Sequence, residues 1–276
     1  MVAHQILECI GEHLALVLNS NRVDQPKLLP VLIQSGPQRY VGPGIIDLVA
    51  PVRRWRSDDP RRWQFDGEIA AFGTATGHRI VIGRWPVSPF GPISDVMVED
   101  PHGSRLLIAP SEEVAAFIAS TYRFDSVDVT PVEVIRRPGK LHVAAGPLRT
   151  DLTIGRRGWL GSLLRAVPRR VATAPAWAAL IDPVIRAVLP GVRTRGSAGS
   201  GRREWYGAWD LHPLVSATAS WHGTDLGAMA DVCPPVRFGF GSTPRRPSIV
   251  CLITTVQLCR QPSRPSVPGM ETYRGN

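Results

Sequence analysis

The sequence predicts an α+β fold: a largely antiparallel, curved sheet over residues 64–258, with one capped helix and a proline-divided helical segment covering it. Three observations carry this expectation. Between Arg202 and His222 polar and apolar residues alternate for about twenty positions, the period of extended backbone with one wet and one buried face. Upstream, short β-like runs recur between Gly, Pro and Asp turn residues. Helical spacing with start and stop signals is confined, within that region, to 111–121 and 158–190.

The elements follow in order. Residues 4–18 place Ile6, Leu7, Ile10, Leu14 and Val17 at helical spacings. From Pro26 to Pro60 proline, glycine and arginine dominate without a period, so residues 1–63 read as an irregular N-terminal extension with one short helix. Glu68 to Phe72 and Arg79 to Trp85 predict a hairpin, and Ser94 to Val98 with Arg105 to Ile108 predict a second, turning at Asp100-Pro101-His102-Gly103. Ser111 is a helix cap, with Glu112 and Glu113 where the helix dipole favours negative charge. The valines between 127 and 134, then Leu141 to Ala145 and Leu148 to Ile154, predict an antiparallel meander.

Residues 158–190 are helical in composition but divided by Pro168, Pro175, Pro183 and Pro190 into pieces of about two turns, since proline starts a helix but does not continue one. Asp182-Pro183 reads as a cap followed by a first-turn proline. In the long alternating run the even positions carry Arg202, Glu204, Tyr206, Asp210, His212 and His222, the odd ones Trp205, Trp209, Leu211, Val215 and Trp221. Pro213 has no amide to donate to a central ladder, which predicts two strands meeting near Asp210 to Pro213. Val236 to Phe240 and Ile249 to Val256 read as closing strands, the latter apolar on both faces like a central strand. Residues 259–276 have the composition of a disordered tail.

Composition excludes several classes. The net charge of +9 points towards anionic partners, but 30 of the 32 basic residues are arginines dispersed in pairs, which disfavours nucleic acid as a partner. Cys9, Cys233, Cys251 and Cys259 form no CxxC unit and no disulfide scaffold, the N-terminus lacks a signal-peptide pattern, and Val171 to Ile181 is too short to span a bilayer. A cytoplasmic location is the expectation. No P-loop, dinucleotide fingerprint, HExxH or GxSxG occurs, and the lysines are Lys27 and Lys140 alone. No cofactor is implied. Asp210, His212, His222 and Asp225 are the one grouping with metal-ligand chemistry, but their spacing is not that of a metal site, and no metal is assigned.

Five stretches, Asp95-Val96-Met97-Val98-Glu99, Thr121-Tyr122-Arg123-Phe124-Asp125, Ala145-Gly146-Pro147-Leu148, Gly201 to Gly207 and Phe238 to Pro244, resemble an uncharacterised protein family of high-GC bacteria. The resemblance covers well over half of the chain, from Ser94 to Val256, and brings no activity with it. It implies that the residues before about 85 are an addition, or that translation begins near Val81.

The functional expectation is a pocket for a small anionic or amphipathic ligand. Arg202 and Arg203, behind the glycine-rich stretch Gly196 to Gly201, are the anion contacts, Tyr206 and His212 the orienting groups, and Trp159 and Trp177 the apolar wall. Whether the protein is an enzyme stays open: Glu204, Tyr206 and His212 are the acid–base candidates, acting on an anionic substrate held by Arg202. A third reading makes 158–190, with Arg156, Arg157, Arg165, Arg169 and Arg170 beside its apolar positions, a surface for membranes or other partners.

Overall fold

The computed structural model describes residues 62–189 and 191–259. The expected helix at 4–18, the extension up to 61 and the tail beyond 259 lie outside the described residues. In chain order the elements are β1 (Arg62–Thr74), β2 (Arg79–Val87), β3 (Ile93–Glu99), β4 (Arg105–Ala109), α1 (Glu112–Ala119), β5 (Ser126–Val129), β6 (Val132–Arg137), β7 (Lys140–Ala145), β8 (Leu148–Ile154), α2 (Trp159–Ala166), α3 (Arg169–Ala172), α4 (Pro175–Val188), β9 (Arg195–Ala198), β10 (Arg202–Trp221), β11 (Thr224–Asp225), β12 (Met229–Ala230) and β13 (Ser248–Leu258).

This is the α+β architecture that alternation and turn chemistry predicted. One sheet runs β5, β4, β3, β2, β1, β13, β10, β8, β7, β6, with β9 and β11 paired to β10 and β12 to β1. Both predicted hairpins form, β1 with β2 and β3 with β4. β13 lies between β1 and β10, which explains its apolar character on both faces. The sheet curls, so Phe72, Ile80, Ile82 and Val96 of its first half pack on one core with Leu141, Val143, Leu148 and Leu152 of its second.

Four local expectations are corrected. The valine-rich passage is not one meander: β6, β7 and β8 form it, whereas β5 pairs in parallel with β4. The reason is α1, which begins on the predicted Ser111 cap and carries the chain across, the connection that a parallel pair requires. The stretch 202–221 is one strand, not two. It pairs with β13 as far as Pro213 and with β8 from Leu214, so the missing proline amide falls where the strand changes partner. Residues 231–247 contain no strand, and Val236 to Phe240 cross the sheet as irregular chain. α4 runs through Pro183. Asp182 is buried inside that helix rather than capping it, and accepts bonds from Thr194 N at 2.8 Å and Thr194 Oγ1 at 3.1 Å. Tertiary anchoring thus offsets the lost helix bond.

Glu99 ties the irregular segment down. Fully buried, it sits 3.3 Å from Arg79 Nη2 and 2.9 Å from Arg237 Nη2, and also accepts from Arg237 N at 2.9 Å. The helices come close to β10 through glycines: a Cβ on Gly161 would stand 2.1 Å from Leu211 O, and one on Gly207 2.5 Å from Thr173 Cα. Gly161→Val is therefore expected to lower stability by about 2 kcal/mol, the usual cost of overpacking, read as a lower urea midpoint with unchanged slope. An unchanged midpoint would mean that α2 is free to move off the strand. Among the described residues no helix is long and apolar enough to cross a membrane.

Candidate functional site

The sheet face opposite the curled core forms the wall of a cavity. Register aligns Ile69 with Gly83 and Val250, Val81 with Met97, Gly83 with Asp95, and Tyr206 with Thr254. Over this wall lie α1, α2, α4 and residues 236–244. Between them are two adjoining hollows: an inner one of about 60 Å³ that reaches Asp95, Glu204 and Thr254, and an outer one of about 170 Å³ that reaches Tyr206, Leu164 and Ile185. Tyr122, Ile69, Val81 and Met97 line both.

Three side chains from two distant parts of the chain meet there. The Tyr122 hydroxyl, just beyond α1, donates to Glu204 Oε1 and lies 3.0 Å from the Tyr206 hydroxyl. Glu204 is fully buried, and its second oxygen, Oε2, has no hydrogen-bond partner among the described residues. Burial pushes its carboxyl up to about 7, against the Tyr122 hydrogen bond and the Tyr206 phenol behind it, which favour the charged form. Burial and the neighbouring Glu204 charge hold both phenols well above their ordinary value, so they remain protonated donors.

Packing fixes this trio. Phe240 stacks on the Tyr206 ring at 5.6 Å between centroids and 22° between planes, and its ring occupies the space that a Cβ on Gly196 would need. Tyr122 lies similarly against Gly239, whose Cβ would stand 2.9 Å from the ring. A second carboxyl faces the inner hollow: Asp95 is buried, accepts from Trp85 Nε1 at 2.9 Å, and is raised to about 6 by burial, with the indole bond opposing. Gly83 clears room for the pair, because a Cβ there would lie 2.4 Å from Asp95 Oδ1.

The structure brings together two of the residues singled out from sequence, Glu204 and Tyr206, and separates the others. Arg202 is not a ligand contact: its Nη1 donates to Phe117 O, Ser120 Oγ and Thr121 Oγ1, closing the C-terminal end of α1, and its guanidinium lies over the Phe117 ring. The glycine-rich stretch is a β-hairpin rather than an anion nest. Gly199 N is committed to Thr121 O, and the turn uses positive φ at Ser200 and Gly201. Arg203 is exposed.

His212 lies away from the cavity, with Nδ1 3.1 Å from Gly155 O and Nε2 3.6 Å from Asp210 Oδ1. A bulge between Ala208 and Asp210 turns the strand over, so Leu211 rather than His212 follows Ala208 on the cavity side. Asp210 instead takes both arms of Arg157, at 2.8 and 2.7 Å, while His222 and Asp225 sit at the far end of the strand. Among the described residues no three metal-ligating side chains assemble. Trp159 is 65% exposed, and Trp177 is buried but not in the cavity wall. The helical wall is made by Leu160, Leu164, Ile185 and Leu189.

Tyr122 and Asp95 stand in two of the stretches that carry the family resemblance, yet no role attached to either. Asp95 lay within a predicted hairpin strand and Tyr122 just past a predicted helix. Arg193, exposed at the rim of the outer hollow, was equally unmarked.

The fold and site together define an α+β protein with a largely apolar cavity between sheet and helices, carrying a carboxyl–phenol cluster in its wall. No protein-family model and no curated protein matches the chain. Among solved structures it is similar to acetoacetate decarboxylase from Legionella pneumophila subsp. pneumophila str. Philadelphia 1, with a TM-score of 0.35 and 11% identity over 76% of this chain and 91% of that one. It is similar also to a candidate AttH protein from Nitrosomonas europaea, with a TM-score of 0.23 and 13% identity over 80% of this chain and 60% of that one. Likenesses at this level carry no argument about what the chain does.

Proposed function

We propose that the protein binds a small amphipathic molecule in the outer hollow, with its apolar body against the helical wall and its polar group towards Tyr206. The observation that carries this reading is the hollow itself: about 170 Å³, lined largely by apolar side chains, with Tyr122 and Tyr206 set into its wall. An engineered apolar cavity of about 150 Å³ takes up benzene, so a ring or short chain of similar bulk fits. Ser242 Oγ and Thr243 Oγ1, buried on the same hollow without partners, supply further polar points for orientation. The sequence-derived anion contacts do not support the reading. Arg193 at the rim is the cation placed to meet an anionic head group.

Thermal shift against neutral ketones, alcohols and short carboxylic acids is the test. A binder present at about 100 times its Kd should stabilise the fold by about 2.7 kcal/mol. Leu164→Trp, which fills the hollow from the helical side, should abolish the shift, whereas Arg202→Ala should lower the starting Tm yet leave the increment intact. Arg193→Ala should weaken acids and spare ketones if the head group is anionic. The absence of any shift, or an equal shift in Leu164→Trp, would remove the cavity as the binding site.

A further inference from the structure

We propose that Glu204, Tyr122 and Tyr206 form an acid–base chain that moves a proton to and from the carbon beside the carbonyl of a small, uncharged ketone or enone. The inference rests on the cavity reading above and names the substrate class of that same site. Glu204 presents one oxygen held by Tyr122 and one, Oε2, buried without a partner among the described residues. An unsatisfied buried carboxylate oxygen is costly to maintain and marks a place where something else is to bind. The Tyr122 and Tyr206 hydroxyls lead from that carboxyl to the outer hollow.

Around the inner hollow the charge pattern favours an uncharged reacting end, whereas Arg193 lies out at the rim of the outer one. The carboxyls facing the inner hollow are Glu204 and Asp95, and both repel an anion. Thr254 and Thr121 face it as neutral hydroxyl groups, and Arg202, on the same strand as Glu204, does not line it and turns its Nη1 to the end of α1. A bound ammonium group would pair with Glu204 and weaken it as a base. Among the described residues imine formation has no lysine in the wall: Lys140 is exposed at the start of β7. With its carboxyl raised to about 7, Glu204 holds both protonation states at neutral pH, as proton transfer in both directions requires.

The step balances without another reactant. With the ring in the outer hollow and the reacting carbon reaching past Tyr122 into the adjoining inner one, where Glu204 lies, ionised Glu204 Oε2 takes the α-proton; the C–H bond breaks, its electron pair forms the C=C bond of the enolate, and the carbonyl oxygen takes the charge. Tyr206 turns its hydroxyl from Tyr122 to that oxygen, supplying a donor where charge develops. Return of a proton from Glu204 to the same carbon gives exchange with solvent, and return to the γ-carbon of a β,γ-enone gives the conjugated isomer.

Cyclohexanone, one atom larger than benzene, is the probe. Its α-protons are followed by proton NMR in D2O beside saturation-transfer binding on the same sample, with the full-length protein. Exchange should run about 100-fold above buffer, within the range of general acid–base catalysis, fall to the buffer rate in Glu204→Gln, and drop about tenfold in Tyr206→Phe, with binding and near-UV circular dichroism kept in both variants. Binding without exchange would overturn this inference and leave the cavity reading standing, whereas loss of both would overturn the two together. Exchange that survives Glu204→Gln, or cyclohexylamine binding more tightly than cyclohexanone, would also overturn it, the latter by making Glu204 a cation acceptor.

Discussion

Between about pH 4.5 and pH 8 the protein is expected to lose about 3 kcal/mol of folding stability at Glu204, as its carboxyl titrates from an ordinary value when unfolded to about 7 when folded. The folded state holds this proton more tightly than the unfolded state. The stabilisation is therefore complete below the unfolded value and disappears as pH rises through the folded one. Asp95, raised to about 6 by burial against the Trp85 bond, adds a loss of the same sign slightly earlier. His78, lowered by burial, acts in the opposite sense near its ordinary value. In Glu204→Gln the Glu204 part should vanish while those of Asp95 and His78 persist, so the difference between the two urea-midpoint profiles isolates one carboxyl. Superimposable profiles would show that Glu204 is solvated and ionises normally. The same carboxyl's position in the wall then could not make it the acid–base group.

Glu99→Ala should cost about 3–5 kcal/mol, the penalty for breaking a buried ion pair and leaving a charge behind. The charge left behind is Arg79, 4% exposed, whose Nη2 would keep only the Asp100 carbonyl at 2.9 Å. The damage should reach the site. Glu99 also holds Arg237, and three residues further along the same irregular segment Phe240 stacks on Tyr206. Ligand-induced stabilisation should accordingly fall in Glu99→Ala even under conditions where the variant is folded. Asp231→Ala, at an exposed single contact of 3.1 Å with Arg245, is the contrast and should leave the urea midpoint nearly unchanged, because solvent screens such pairs. A Glu99→Ala midpoint equal to that of Asp231→Ala would mean that Arg79 and Arg237 are satisfied without the carboxylate.

Much of the framework was legible in the chain because it depends on neighbours in sequence. Turn residues at 100–103 fixed one hairpin, Ser111 with two glutamates fixed the start of α1, and the two-sided apolar run at 249–256 announced a central strand. Period-two alternation also put Glu204 and Tyr206 on one side of a strand, and that much of the site was readable. The same alternation misled beyond Ala208, since the bulge there inverts the facing of the residues that follow, up to a second register shift between Leu214 and Ser216, and carried His212 and Asp210 out of reach.

Arg202 and Arg203 looked like anion contacts because a guanidinium beside glycines has that chemistry when its donors are free. What occupies Arg202 is a set of carbonyl and hydroxyl groups at 117–121, far away in sequence and adjacent only after folding. Tyr122 and Asp95 fell in stretches shared with a family of no known activity, and nothing local assigned either of them a role. Their significance comes from burial beside Glu204 and Trp85, and burial is a property of the packed sheet and its helices.

Most secondary elements and their two-faced character follow from residues close together in the chain, because propensity, capping and alternation act over a few positions. Which polar face became an interior follows from packing, since the perturbed carboxyls and the orphaned oxygen arise where strands and helices from separate parts of the chain exclude water together.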